Sequence, residues 1–426
     1  MLNKIKSKLE SIGCDGWELT ETVKNGWEFY FIRHELDQNR AVEIDTIEIK
    51  LYKSIGNGEF LGNASGEISP TASDEEIDER LSSLLYQASL VKNPAYKLND
   101  KPIEIPDKTD EIDIEKIAED FIKTIKSVEE TENEYINSYE IFVNSLTRHY
   151  LNSNGVEYTC VYPESTVDIV VNARKGDHEI EMYRFLESGT CDGEKLKKDI
   201  ADAMHFGSDR LDAVPTPMLN NYDVVFSTAD AVQIYDYFVE RMASDYIVRQ
   251  ISDWEIGKPV VADTAGDKIS VKALPSLKNS SKDFPVDKEG AVISEQWLIE
   301  DGIAKNYFGS RQFSQYLGLE NSSNVYNVCF SGGKKSAEEI RTGDYLEIVE
   351  FSDFQVDDMG GDIAGEIRVA YLHKDGKTTV VTGGSVSGNM IEAAKDMAFS
   401  SETSQYDTRV IPSVTKLKNL RITGAE

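Results

Sequence analysis

The chain has 426 residues, with 76 acidic against 45 basic side chains and a formal net charge of −31. A surface that negative repels phosphate backbones and anionic headgroups, neither of which can release counterions onto it, so nucleic acid and membrane are excluded as partners. The length exceeds what one ordinary core fills, which predicts two domains.

No apolar run approaches a membrane span, and the first ten residues form an amphipathic pattern without a signal-peptide core. Four well-separated cysteines (Cys14, Cys160, Cys191, Cys329) make no CxxC pair. A reduced, cytoplasmic protein is expected.

Strand-type runs occupy Trp27 to Arg33 and Val42 to Tyr52, rich in aromatic and β-branched residues. Ser73-Asp74-Glu75-Glu76 is a capping-box signature ahead of Ile77, Leu81, Leu84, Leu85, Ala88 and Val91 at helical spacing, and Asn93-Pro94 stops that helix. A proline-bearing connector over 94–110 precedes a second amphipathic helix, with Ile114, Ile117, Ala118, Phe121, Ile125 and Val128 on one stripe. Further strands are predicted over Tyr139 to Leu151, Val156 to Tyr162, Thr166 to Ala173 and His178 to Leu186. A helix is predicted from about Gly193 to Phe206.

The aperiodic stretch Gly207 to Asn221 marks a boundary. An N-terminal mixed α/β domain is expected over 1–210 (sub-parts about 1–93 and 111–207) and a β-rich domain over 218–426. The second should open with a strand, Asp223 to Phe226, and a helix from about Ala229 to Ile251. A large, curved, mainly antiparallel, barrel-like sheet follows, including an Asp375-Gly376 hairpin, so the class is α+β.

Near the C-terminus, Thr382-Gly383-Gly384-Ser385-Val386-Ser387-Gly388-Asn389 reads as a Gly-rich turn from a strand into a helix. It lacks the second glycine of a serine-nucleophile elbow and matches neither a P-loop nor a dinucleotide fingerprint. Together with Leu151 to Gly155, Val286-Asp287-Lys288-Glu289-Gly290, Leu298 to Gly302, Asn324 to Asn327, Gly332-Gly333, Ser336 to Ile340 and Gly361-Asp362, it resembles the TldD/PmbA family, peptidase subunits once labelled modulators of DNA gyrase. The resemblance covers the second domain well, from about Asp223 to Gly424, and the first only loosely.

In the catalytic TldD branch, the resemblance implies zinc held by two histidines of an HExxxH helix and a C-terminal cysteine, types suited to Zn²⁺, with a glutamate activating the bound water. The corresponding positions of this chain are Tyr235, Asp236 and Glu240, and no cysteine follows Ser385. The chain therefore resembles the PmbA/TldE branch, which lacks that motif. It is expected to carry no metal and no catalytic residue, zinc belonging to a TldD-like partner. Tyr235, Asp236 and Glu240 are expected as polar groups on the solvated helix face.

The resemblance makes Asp287, Glu289, Gly290, Gly388 and Asn389 candidates for lining a peptide channel, beside a reading as structural turns. His149, Cys160, His178 and Cys191 could gather a metal only if neighbouring strands brought them together. Asp357, Asp358 and Asp362 around Gly360-Gly361 lack EF-hand spacing. Two functions stay open: a non-catalytic subunit of a zinc metallopeptidase acting on unfolded peptides, or a stand-alone peptide-binding homodimer.

Overall fold

The computed structural model describes residues 1–319 and 322–425. The first half contains α1 (Leu2–Ser11), β1 (Gly16–Ile32), β2 (Glu35–Ile55), β3 (Phe60–Ile68), α2 (Asp74–Leu90), β4 (Asn93–Pro94), α3 (Ile114–Ile125), β5 (Glu134–Asn152), β6 (Glu157–Lys175), β7 (His178–Ser188) and α4 (Gly193–Leu211). Its strands form one antiparallel sheet in the order β4-β3-β2-β1-β5-β6-β7, with β7 at a free edge.

Alternation along the strands decides what each sheet face covers. Trp17 and Leu19 of β1 join Ile47, Ile49 and Leu51 of β2 against Ile5 and Leu9 of α1 and Ile77, Leu81 and Leu84 of α2. Tyr139, Ile141 and Val143 of β5 pack with α3 and α4, joined by Val349 and Val369 from the second half. On the opposite face, Leu146 of β5 and Tyr158, Cys160 and Tyr162 of β6 receive Phe284 and Val286. The expected Ser73 capping box is formed, the Ser73 hydroxyl accepting from Glu76 N–H and the Glu76 carboxylate from Ser73 N–H.

The strands run longer than the sequence pattern predicts. The runs expected over Val156 to Tyr162 and Thr166 to Ala173 merge into one strand, β6, which begins at Glu157 and continues through Pro163. Proline is tolerated because β7 pairs β6 only from Ser165 onward, leaving Pro163 with a single neighbour, Ser145 of β5. Helix α4 likewise extends past Phe206 to Leu211.

The second half contains β8 (Val214–Pro215), β9 (Leu219–Phe226), α5 (Val232–Glu240), α6 (Ser244–Val248), β10 (Val271–Leu274), β11 (Gln296–Glu300), β12 (Ile303–Ala304), α7 (Arg311–Tyr316), β13 (Asn327–Phe330), α8 (Ala337–Ile340), β14 (Tyr345–Val356), β15 (Asp362–Lys374), β16 (Lys377–Thr382), β17 (Ser385–Asn389), α9 (Met390–Ala393), β18 (Ala398–Phe399), β19 (Thr403–Tyr406), β20 (Arg409–Pro412) and β21 (Thr415–Thr423). Strands β14, β9, β21, β17 and β15 pair in succession, and β14 pairs β15, which closes a barrel. A second sheet runs β12-β11-β10-β13-β20-β19 and ends at the free edge of β19. One continuous core, with α5 inside it, joins the barrel to this sheet. The α+β class and the curved antiparallel architecture are as expected.

Two local expectations fail. The helix expected from Ala229 to Ile251 is broken after Glu240, because Ser244 N–H is drawn to Phe308 C=O at 2.7 Å and Arg241 is turned toward the Asp358 and Met359 carbonyls. The Gly383-Gly384 pair does not open a helix. Both glycines sit at φ +78 and turn β16 into β17, and the short helix α9 begins only after Asn389. The Asp375-Gly376 hairpin is as predicted, with φ of +52 and +71 at its two central residues.

Candidate functional site

Helix α5 carries the three positions at which the resemblance puts a zinc motif. It is not a solvated helix: Ile234, Tyr235, Tyr237, Phe238 and Val239 are all buried. Tyr235 is fully buried, packs edge-on against Phe330, and shares a 2.7 Å hydrogen bond with the Thr415 hydroxyl. Burial pushes its phenol well above the ordinary tyrosine value. It is a core residue, which overturns the expectation of an exposed polar group.

Asp236 lies at the half-exposed edge of the helix and is claimed by Arg409, whose Nε donates to its carboxylate at 2.6 Å. The same guanidinium also donates to Tyr326 C=O at 2.7 Å, so Arg409 is fixed in place. Glu240, one turn on, is half-buried, and burial followed by repulsion from Asp236 raises its pKa. A carboxylate tied to a guanidinium, a phenol inside the core and one further carboxylate do not suit Zn²⁺, which takes neutral imidazole and thiolate. Among the described residues, no group of three or more His, Cys, Asp or Glu side chains could hold a metal ion.

The histidines and cysteines of the first half are not gathered. His149 pairs with Glu157 at 2.9 Å, while the neighbouring Arg148 is the residue opposite the buried Cys160. His178 sits at the β6–β7 hairpin and Cys191 lies 3.6 Å from the Thr124 hydroxyl. The acidic Asp357–Asp362 segment is the β14–β15 turn, closed by Gly361 N–H on Asp357 C=O at 2.8 Å, with Asp358 accepting from Tyr246 OH at 2.6 Å.

Asp287, Glu289 and Gly290 form a buried junction between the two halves. Asp287 accepts four hydrogen bonds: from Glu289 N–H and Ala291 N–H at 2.9 Å, and from Asn324 N–H at 2.7 Å and its side-chain amide at 2.9 Å. Burial raises its pKa against the pull of the Asn324 and Ala291 donors. Glu289 accepts from Arg311 N–H at 2.6 Å and lies 3.8 Å from Lys50. Lys50 is also 3.9 Å from the buried Glu18, to which Tyr52 and Tyr150 donate at 2.6 and 3.0 Å. A cavity of about 520 Å³ opens beside Glu18, Lys50, Arg148 and Glu289. Gly290 stands at φ +72, its carbonyl accepting from the buried Asn99 amide at 2.6 Å.

Gly388 and Asn389 belong to the barrel and share no hydrogen bond with that junction among the described residues. Gly388 pairs with Ile363 and is packed against Leu420. Asn389 caps α9 by accepting from Ile391 N–H at 2.9 Å, and its amide donates to Gly360 C=O and to Asp362, each at 2.9 Å. Gly388 sits in the β15–β17 ladder and Asn389 at a helix cap, and the structure does not bring the five candidates to one site.

A larger opening lies elsewhere. A cleft of about 980 Å³ separates the C-terminal end of β7 and the first turn of α4 from α5 and the β19–β20 hairpin. Asp236 and Arg409 stand in one wall. The free-edge strands of both sheets contribute to the lining, β7 through Phe185 to Ser188 and β19 through Gln405 and Tyr406. Tyr406 is covered by the Lys195 ammonium, 4.9 Å from its ring centre, and burial pushes its phenol up to about 12. The loop bearing Asn279 is clipped across the cleft by Thr190, whose N–H and hydroxyl donate to it at 2.8 and 2.5 Å. Two unpaired sheet edges at one opening can accept an extended chain through its backbone.

Residues 219–424 match the PmbA/TldA metallopeptidase C-terminal domain. A metalloprotease PmbA homolog of Haemophilus influenzae is 22% identical over 310 residues, covering 68% of this chain and 66% of the relative. A metalloprotease TldD homolog of Buchnera aphidicola is 25% identical over 148 residues, 31% of each chain. The chain thus spans just under two thirds of the first relative's length and about a third of the second's. The crystal structure of TldE from Thermococcus kodakarensis superposes with a TM-score of 0.76 at 17% identity, covering 99% of this chain and 100% of that one. The barrel and its companion sheet fall within the matched region, so the second half of the chain, residues 219–424, is similar to the PmbA/TldA metallopeptidase C-terminal domain, and the whole chain shares the fold of the TldE structure.

Proposed function

We propose that this chain is the non-catalytic, TldE-like subunit of a two-subunit zinc metallopeptidase and binds extended, unfolded peptide in the cleft between β7 and β19. The observation that carries the reading is the state of α5. Its motif positions are a core phenol, a carboxylate neutralised by Arg409 and a half-buried glutamate, with no imidazole on the helix. Zinc, activated water and general base then come from a TldD-like partner, and this chain supplies part of the binding chamber. Backbone pairing at two sheet edges needs little side-chain specificity and admits only chains that are already unfolded.

The test is reconstitution with a TldD-like subunit, followed by hydrolysis of an unstructured polypeptide. Activity should appear only in the mixture. Asp236→Asn with Glu240→Gln should leave it within several-fold, whereas loss of a general base costs about 10²–10⁴-fold. A loss of that size in an assembled complex would make α5 catalytic.

A further inference from the structure

The cleft wall is unevenly charged. Six carboxylates line it, from Glu187, Asp192, Glu194, Asp199, Asp236 and Asp407, against three cations, Lys195, Lys278 and Arg409. Two of the cations are already committed, Lys195 to Asp199 and Arg409 to Asp236, each at 2.6 Å. Asp407 spends both oxygens on the N–H and hydroxyl of Ser281, which are neutral donors, so its charge remains. Asp192 uses one oxygen to cap α4 at Lys195 N–H and keeps its charge as well. Among the described residues Glu187 and Glu194 form no ion pair, and partial burial of the Glu187 carboxylate followed by the neighbouring Asp407 holds it above the ordinary carboxylate range. The excess therefore sits where the two edge strands meet the opening, with Lys278 as its sole uncommitted cation among the described lining residues.

We propose that the cleft selects cationic segments, so that its substrate class is unfolded peptide rich in lysine or arginine. The selection rests on the peptide-binding reading above. The edge strands recognise an extended backbone whatever its sequence, and the uncompensated carboxylates rank sequences by charge. Unpaired carboxylates at a partly closed opening also attract a cationic chain over distances at which backbone pairing has not begun.

The experiment uses the full chain and a set of unstructured glycine-serine peptides carrying lysine, glutamate or no charge at the same positions, followed by fluorescence anisotropy. Exposed ion pairs give factors of about two to five each, so the lysine peptide should bind about tenfold more tightly than the neutral one, and the glutamate peptide more weakly than either. The preference should collapse at about 1 M salt, where the screening length is about 3 Å. Glu187→Gln, Asp192→Asn and Glu194→Gln together should remove most of it, the asparagine preserving the helix cap. Glu10→Gln, Glu75→Gln and Glu79→Gln make the same change of net charge on α1 and α2 and should leave it intact. Equal binding of all three peptides, or equal loss of preference in both triple variants, overturns the charge selection while leaving peptide binding standing. Binding of none of the peptides overturns the cleft reading, and the selection with it.

Discussion

Replacing Gly290 by alanine tests whether the Asp287–Gly290 turn is a structural clamp or a substrate-facing surface. At φ +72 the residue lies in the left-handed region, which costs an L-residue about 1–2 kcal/mol. A Cβ there would overlap Tyr150 Cε1 and stand 3.0 Å from Cδ1 and Cζ of the same ring. That ring cannot retreat freely, because its hydroxyl sits 3.0 Å from both the Glu289 C=O and the Glu18 carboxylate, the two acceptors for its one proton. Overfilling a packed site adds about 1–3 kcal/mol. The expected loss is therefore about 2–5 kcal/mol, read as a lowered urea midpoint. In a Tyr150→Leu background the steric part should vanish, leaving about 1–2 kcal/mol for the backbone alone. An unchanged midpoint for Gly290→Ala, or the same increment in both backgrounds, would refute the clamp.

Glu240→Gln should stabilise the protein at pH 7. Glu240's folded-state pKa lies above the unfolded value, so the ionised group disfavours the fold above about pH 4.3 and the variant's gain should disappear as pH falls through that range. Paired urea titrations at pH 7 and at acid pH check it, and a gain that grows toward acid would contradict it. Tyr235→Phe removes the 2.7 Å bond to Thr415 inside the core, which should cost about 1–3 kcal/mol in unfolding free energy with peptidase activity of the complex unchanged. A large activity loss without a stability loss would place Tyr235 at the chemistry instead.

What was legible in the sequence was local. The Ser73–Glu76 capping box and the Asp375-Gly376 turn are each settled by a few adjacent residues, and both form. The expected exposure of Tyr235 fails because α5 packs into the core shared by the barrel and its companion sheet, which only the tertiary fold decides. The break after Glu240 depends on Phe308, and the strand continuing through Pro163 depends on where β7 stops pairing. Neither has a signal in its own neighbourhood. For Asp287 the sequence leaves a channel lining and a structural turn both open, and its four donors, including two from Asn324 far along the chain, are what show the carboxylate to be occupied. The cleft had no sequence signature because residues 185–196 and 405–409 meet only through the fold. The Asp236–Arg409 pair, which bears most directly on function, joins positions 173 residues apart.

The central claim is that the metal chemistry belongs to a partner, and metal analysis of the reconstituted complex tests it most directly. The complex, purified without a histidine tag, should contain about one zinc per pair of chains, and after separation the zinc should remain with the TldD-like subunit. This chain alone should hold substoichiometric zinc, removable by mild chelation. About one tightly held zinc on this chain, accompanied by peptide hydrolysis in the absence of the partner, would contradict the account.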